Sequence, residues 1–159
     1  MQLSDIPKKT EQFWYALGEA LCNHIRKRVQ VEHKNANEQP FAPYSREYAE
    51  RKAENKAKPR GMSQQSTSTI PDMTLTGKTM SGLQTFEVSK DHVVIGWIGL
   101  GAAVIEGLAR RKNYRVVNLD SLFPFSPKEM DLIMKYAEKD ADKKIEEYCR
   151  VPETIKVGA

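Results

Sequence analysis

Apolar residues recur every fourth position at Phe13, Leu17, Leu21 and Ile25, with Ala20 and Cys22 beside them, while Glu11, Glu19, Asn23, Arg26 and Lys27 fall on the opposite side. That spacing is the period of an amphipathic helix, predicted here to start at Ser4 or Asp5, either of which can cap it, with Pro7 in the tolerated first turn. Val29-Gln30-Val31-Glu32 then alternates like a short strand, which leaves the end of the helix open between fraying and a strand start. From His33 to Pro43 the residues Asn35, Asn37, Pro40 and Pro43 break any period and predict a loop. Tyr44 to Lys52 reads as a short, mostly polar helix with Ser45 as its cap.

Between Lys56 and Ile70 the chain holds Pro59, Gly61 and the polar run Ser63 to Thr69, a composition that orders poorly without help. Residues 34–73 are therefore expected to form an extended arm or loop, with Glu38 to Met73 wrapping a neighbouring chain. At Leu75-Thr76-Gly77 the pattern breaks: Gly can take a positive φ and the Thr hydroxyl can hold a nearby amide, so the chain turns a corner.

The second half is more regular. Gln84, Phe86 and Val88 alternate with other residues, Lys90-Asp91 fits a two-residue turn, and Val93, Ile95 and Trp97 alternate back, which predicts a β-hairpin. Gly99, Gly101 and Gly107 bracket Ala102 to Glu106, a short helix or turn. Ser126-Pro127-Lys128-Glu129 places a capping Ser, a Pro in the first helical position and a Glu in the third, the capping-box order, with Phe125 and Met130 as a hydrophobic staple. The helix that follows is expected to bury Met130, Ile133, Ala137, Ala141, Ile145 and Tyr148 and to stop before Pro152. The predicted fold is α+β: one domain over residues 1–159, a small antiparallel sheet built on the hairpin and packed by the N-terminal helix and the long C-terminal helix.

Composition narrows the function classes. A hydrophobic fraction of 40% against 29% charged residues leaves a modest core with much polar chain outside it. The net charge of +4 admits an anionic partner but lacks the concentrated basicity of an obligate DNA binder. Two cysteines, Cys22 and Cys149, make no disulfide framework and point to a reducing compartment. The first residues carry no signal-peptide pattern, and no apolar run is long enough to span a bilayer, so a soluble, cytoplasmic chain with no membrane contact is expected.

Candidate chemistry is sparse. His24, His33 and His92 are scattered, and Cys22-Asn23-His24 lacks the second ligand pair of a zinc site. Asp72, Asp91, Glu106 and Asp120 are single carboxylates on separate segments, and Gly96, Gly99 and Gly101 precede no Gly-Lys-Ser/Thr. Trp14 and Trp97 read as core anchors. No catalytic residue, metal ligand or cofactor is expected, and the chain is not expected to be an enzyme. Basic residues cluster twice, at Arg46, Arg51, Lys52, Lys56, Lys58 and Arg60, and at Arg110, Arg111, Lys112 and Arg115 around Tyr114.

The order of these parts resembles a known group. Gln39-Pro40-Phe41-Ala42-Pro43-Tyr44-Ser45 with Tyr48 and Lys52, then Leu75-Thr76-Gly77-Lys78-Thr79-Met80-Ser81-Gly82-Leu83, then Ala102 to Gly107 after the hairpin, are similar to successive segments of the bacteriophage virion morphogenesis, or tail-completion, family and related neck and minor-tail proteins. The likeness runs in order from about Arg26 to Arg150. Two segments depart from the pattern: Ala102-Ala103 replaces the usual Tyr-Ala, and Phe123-Pro124-Phe125 replaces Arg-Pro-Phe before the last helix.

The resemblance implies a structural subunit that closes into a homo-oligomeric ring of six or twelve copies in the virion. Its place would be the head-tail junction or the head-proximal end of the tail, as a neck, connector or terminator protein assembled in the host cytoplasm. Its partners would be other neck, tail or portal-adaptor proteins, with genomic DNA passing through the lumen. On that reading Phe41, Tyr44, Tyr48, Leu75, Met80, Trp97 and Ile105 lie at or behind assembly contacts. Arg51, Lys52, Lys56, Arg110, Arg111, Lys112 and Arg115 are candidates to face DNA phosphates in the lumen, against the plainer reading of a solvated surface with salt bridges. The competing expectations are a non-specific nucleic-acid-binding protein with basic arms and, further off, a small hydrolase.

Overall fold

The first helix, α1, spans Glu11–Gln30, and its amphipathic stripe is buried as the spacing requires: Leu17, Leu21, Cys22, Ile25 and Val29 face inward. In this computed structural model the described residues are 10–58, 61–64, 66–74, 77–109 and 125–149. The expected start of the helix at Ser4 or Asp5 is corrected. Thr10 is extended (φ −82°, ψ 156°) and its hydroxyl accepts from the Phe13 amide at 3.2 Å, so Thr10 is the cap; Ser4, Asp5 and Pro7 lie outside the described residues. At the other end Val31 still donates to the Lys27 carbonyl, and the alternation over 29–32 is helix termination rather than a strand. A single bridge pairs Lys34 with Pro40 across the next turn.

Helix α2 (Arg46–Ala53) is capped by Ser45 as expected. Gly77, at φ +73°, makes the predicted corner and opens the one-turn helix α3 (Lys78–Ser81). Strands β1 (Leu83–Val88) and β2 (Val93–Trp97) pair antiparallel around the Lys90-Asp91 turn, and α4 (Gly99–Ala109) and α5 (Pro127–Cys149) follow among the described residues. The expected α+β architecture is what the chain adopts, with α1 packed on the hairpin and α5 packed on α1.

The phase of β1 differs from the predicted alternation. Leu83 pairs with Trp97 and Thr85 with Ile95, but Glu87 pairs with Val94 and Val88 with Val93, so Phe86 is an extra residue in a bulge. An unbroken strand would turn Glu87 toward α1 along with Leu83 and Thr85; the bulge turns Val88 inward instead. Phe86 is left on the outer face, with its ring lying against Gly96. The inner face meets α1 at Gly18, where a Cβ would stand 2.6 Å from Thr85 Oγ1 and 2.8 Å from Val93 Cγ2. Only a residue without a side chain lets helix and sheet approach this closely.

The described residues of the 34–73 segment fold back on their own subunit rather than wait for another molecule. Phe41 belongs to the core with Cys22, Ile25, Val29, Met80 and Leu83, Met73 packs against that core, and Ala36 is buried. Two buried ion pairs shape the subunit, the first of them within this segment. Lys52 is wholly buried with Nζ 2.7 Å from Asp72 Oδ1, and Asp72 also accepts from Ser66 Oγ at 2.7 Å and from the Thr74 amide at 2.9 Å. Thr74 Oγ1 in turn accepts from Gln30 at the end of α1 at 2.7 Å. A polar segment can order by itself when one buried pair collects its loose donors and acceptors.

The second pair rotates α5. Glu129 closes the capping box, accepting from the Ser126 amide at 2.8 Å while its own amide donates to Ser126 Oγ at 3.3 Å, and its carboxylate also accepts from buried Arg28 of α1 at 2.8 Å. Because Glu129 points inward, the covered stripe runs through Leu132, Ile133, Tyr136, Ala137 and Asp140. The expected stripe is corrected accordingly: Ile133 and Ala137 keep their place, but Met130 and Ala141 are exposed, and the side chains of Ile145 and Tyr148 lie outside the described set. Phe125 packs on the core. Lys128 reaches back to Glu38 at 2.7 Å, a hydrogen bond that holds the Glu38 carboxyl below the ordinary carboxylate range.

Candidate assembly surface

The residues expected to meet other subunits divide by depth. Phe41 and Met80 are core, and Trp97 and Ile105 pack against the core from its edge, so these four stand behind any contact rather than at one. Tyr44 and Tyr48 meet edge to face with ring centroids 4.8 Å apart, and the Tyr44 ring lies 4.9 Å from Lys52 Nζ. Their first task is to line the buried Lys52–Asp72 pair. Leu75 lies outside the described residues.

The basic candidates divide likewise. Lys52 is buried against Asp72 and cannot reach a phosphate, which corrects its assignment to a lumen. Arg51 is exposed, and exposed Lys56 pairs with Glu54 at 2.8 Å, as Arg46 does with Glu50. Arg110, Arg111, Lys112 and Arg115 lie outside the described residues.

Two features were hidden from sequence reasoning. Arg26, expected on the wet face of α1, bends over the end of α3 and donates to the Met80 carbonyl at 3.2 Å and to the Leu83 carbonyl at the start of β1, which ties the corner between them to α1. At the hairpin tip Ser89, Asp91 and His92 gather as a hydrolase site might. Both Ser89 Oγ (2.8 Å) and Asp91 Oδ1 (2.9 Å), however, approach the same His92 nitrogen, Nδ1. Nε2 of the same ring faces Glu87 Oε1 across the hairpin at 3.4 Å. Ser89 Oγ accepts from the Asp91 and His92 amides, so these exposed groups are tied to one another and to the backbone of the turn they lock. Cys22 is buried, and burial pushes its thiol pKa up, away from nucleophilic use. Among the described residues no group of three or more His, Cys, Asp or Glu could hold a metal ion, and no helix is long and apolar enough to cross a membrane.

What the described surface does offer is apolar. Phe86 (57% exposed) lies over Gly96, Ile98 (43%) is the next position on that face of the chain, and Leu100 (55%) and Val104 (43%) follow one turn apart on α4. Ala103 and Gly107 are exposed beside them, so the outer side of α4 reads Leu100, Ala103, Val104, Gly107, the spacing of a helix-pairing seam. The inner side of the same helix is apolar as well, with Ile105 turned to the core. A helix apolar on both sides is at home when both are covered.

Comparison of the chain with protein-family models, with characterised proteins and with solved structures finds no match.

Proposed function

We propose that the chain is a structural virion subunit that forms a ring at the phage head-tail junction or the head-proximal end of the tail, joining or sealing the two while DNA passes. The observation that carries this reading is the exposed apolar run of Phe86, Ile98, Leu100 and Val104 on a subunit whose polar segment is anchored on its own core by the buried Lys52–Asp72 pair. An apolar strip of that kind marks a contact to another molecule. The resembling segments support the same reading by converging: Tyr44 and Lys52 of the first close on Asp72, just ahead of the second.

The proposed mechanism is surface completion. Copies side by side close a ring, and the two rims of the ring meet the components above and below it. DNA would be held off the wall by weak, non-specific contacts with exposed groups such as Arg51, a looser arrangement than a dedicated binder needs.

Gold-labelled antibody against the chain, applied to purified particles and to their separated heads and tails, tests the proposal. Label at the neck or at the head-proximal end of the tail is expected. Particles complete with head and tail but free of the chain would overturn it.

A further inference from the structure

A second exposed apolar strip lies on α5, where Met130 (48% exposed) and Met134 (56%) stand one turn apart and Ala141 continues the line. This helix is 23 residues long, and among the described helices and strands it packs chiefly on α1, with Met130, Met134 and Ala141 turned away from that contact. The two strips differ in relief. The α4 side is a shallow seam in which the small residues Ala103 and Gly107 run beside Leu100 and Val104, and a Cβ added at Gly107 would meet nothing within 4 Å. The α5 side is a row of flexible, unbranched knobs, the side chains that best fill an irregular partner.

We infer that the α4 seam of one copy receives the Met130–Met134 strip of the next copy, head to tail. This deepens the ring reading and rests on it. Area supports the choice of occupant. The exposed parts of Phe86, Ile98, Leu100 and Val104 amount to on the order of 300 Å². A standard interface takes about 800 Å² a side with a little over half of it apolar, so this patch supplies most of the apolar centre of one such interface. A two-fold dimer would set each strip against itself or would have to make both seam-to-knob contacts at once between the same two copies. A seam-to-knob contact made once per pair is instead heterologous and, repeated by rotation, closes a ring.

Disulfide mapping on the full chain, with Cys149→Ser removing one of the two native thiols and buried Cys22 retained, tests the contact. Val104→Cys and Met134→Cys are made as separate populations, mixed near millimolar concentration and oxidised. Cross-linked dimers are expected from the mixture and not from either population alone, and a chain carrying both substitutions should yield a ladder that ends at a closed species. Leu100→Glu with Val104→Glu, at exposed positions that leave the fold intact by circular dichroism, should weaken association about a hundredfold. Dimers from Val104→Cys alone would establish two-fold pairing and overturn the inference, as would a mixture that gives none. The two readings fail separately: antibody label at the neck without this cross-link removes the surface assignment alone, and the cross-link without neck label removes the location alone.

Discussion

Replacing Asp72 with Ala would leave the Lys52 ammonium fully buried, with the Tyr44 ring 4.9 Å away and the Tyr44 hydroxyl 3.5 Å away as its company. It would also free Ser66 Oγ and the Thr74 amide, both of which now donate to that carboxylate. Breaking a buried ion pair by removing one partner costs about 3–5 kcal/mol. In a chain of 159 residues that corresponds to a fall of about 10 °C in melting temperature. The assay is urea and thermal unfolding of the isolated subunit, with hydrogen exchange at residues 66–74 as the local reading. Lys52→Met with Asp72→Leu is the informative control: removing both charges together avoids the stranded cation and should recover most of the loss. Arg46→Ala, which breaks an exposed pair, should leave the midpoint where it was. If Asp72→Ala cost less than about 1 kcal/mol, the pair would not be holding the segment, and the view of residues 34–73 as folded on their own subunit would fail.

Gly18→Ala should destabilise by about 1–3 kcal/mol although Ala is the better helix former, because its methyl would meet Thr85 and Val93; a rise in denaturation midpoint would refute the close approach. Glu129→Ala removes the capping box and strands Arg28 together, so it should cost more than Ser126→Ala, and Glu129→Gln should fall between them in the same unfolding assay. His92 accounts for a pH effect at the hairpin tip. Hydrogen bonds with Asp91 and Glu87 raise its pKa, so its contribution is fully present below the unfolded value of 6.5 and fades as pH climbs through the folded one. Asp91, held low by Ser89 and then His92, loses its share only as pH falls through its own depressed value. Imidazole NMR should find His92 titrating above 6.5 in the native chain, and Asp91→Asn should lower that value; titration at or below 6.5 would contradict the contact.

What could be read from the sequence was what is local. The Ser126–Glu129 box, the Ser45 cap, the Gly77 corner and the stripe of α1 each depend on residues a few positions apart, and each stands as expected. Failures came where the deciding partner is distant. Lys52 sits in a charged run that looks solvated, and only Asp72, 20 residues on, makes it an interior residue. Glu129 reads as a cap from its neighbours, while its second bond, to Arg28, turned α5 and exposed Met130. The β1 alternation admitted two phases, and the Phe86 bulge chose between them by keeping Glu87 off α1. Phe41 and Met80 were candidates for assembly contacts because core and interface use the same side chains. The run from Phe86 to Val104 was visible as apolar residues, but which of them turn outward depended on the bulge and on the packing of α4.

The Arg28–Glu129 pair also governs timing. Its members are 101 positions apart, so a nascent polypeptide holds the Arg28 guanidinium without its partner carboxylate until Glu129 has emerged. Water must solvate that cation in the meantime, which keeps the emerging portion from closing. On the ring reading proposed above, only a subunit in which this pair has closed offers a finished flank to the next copy.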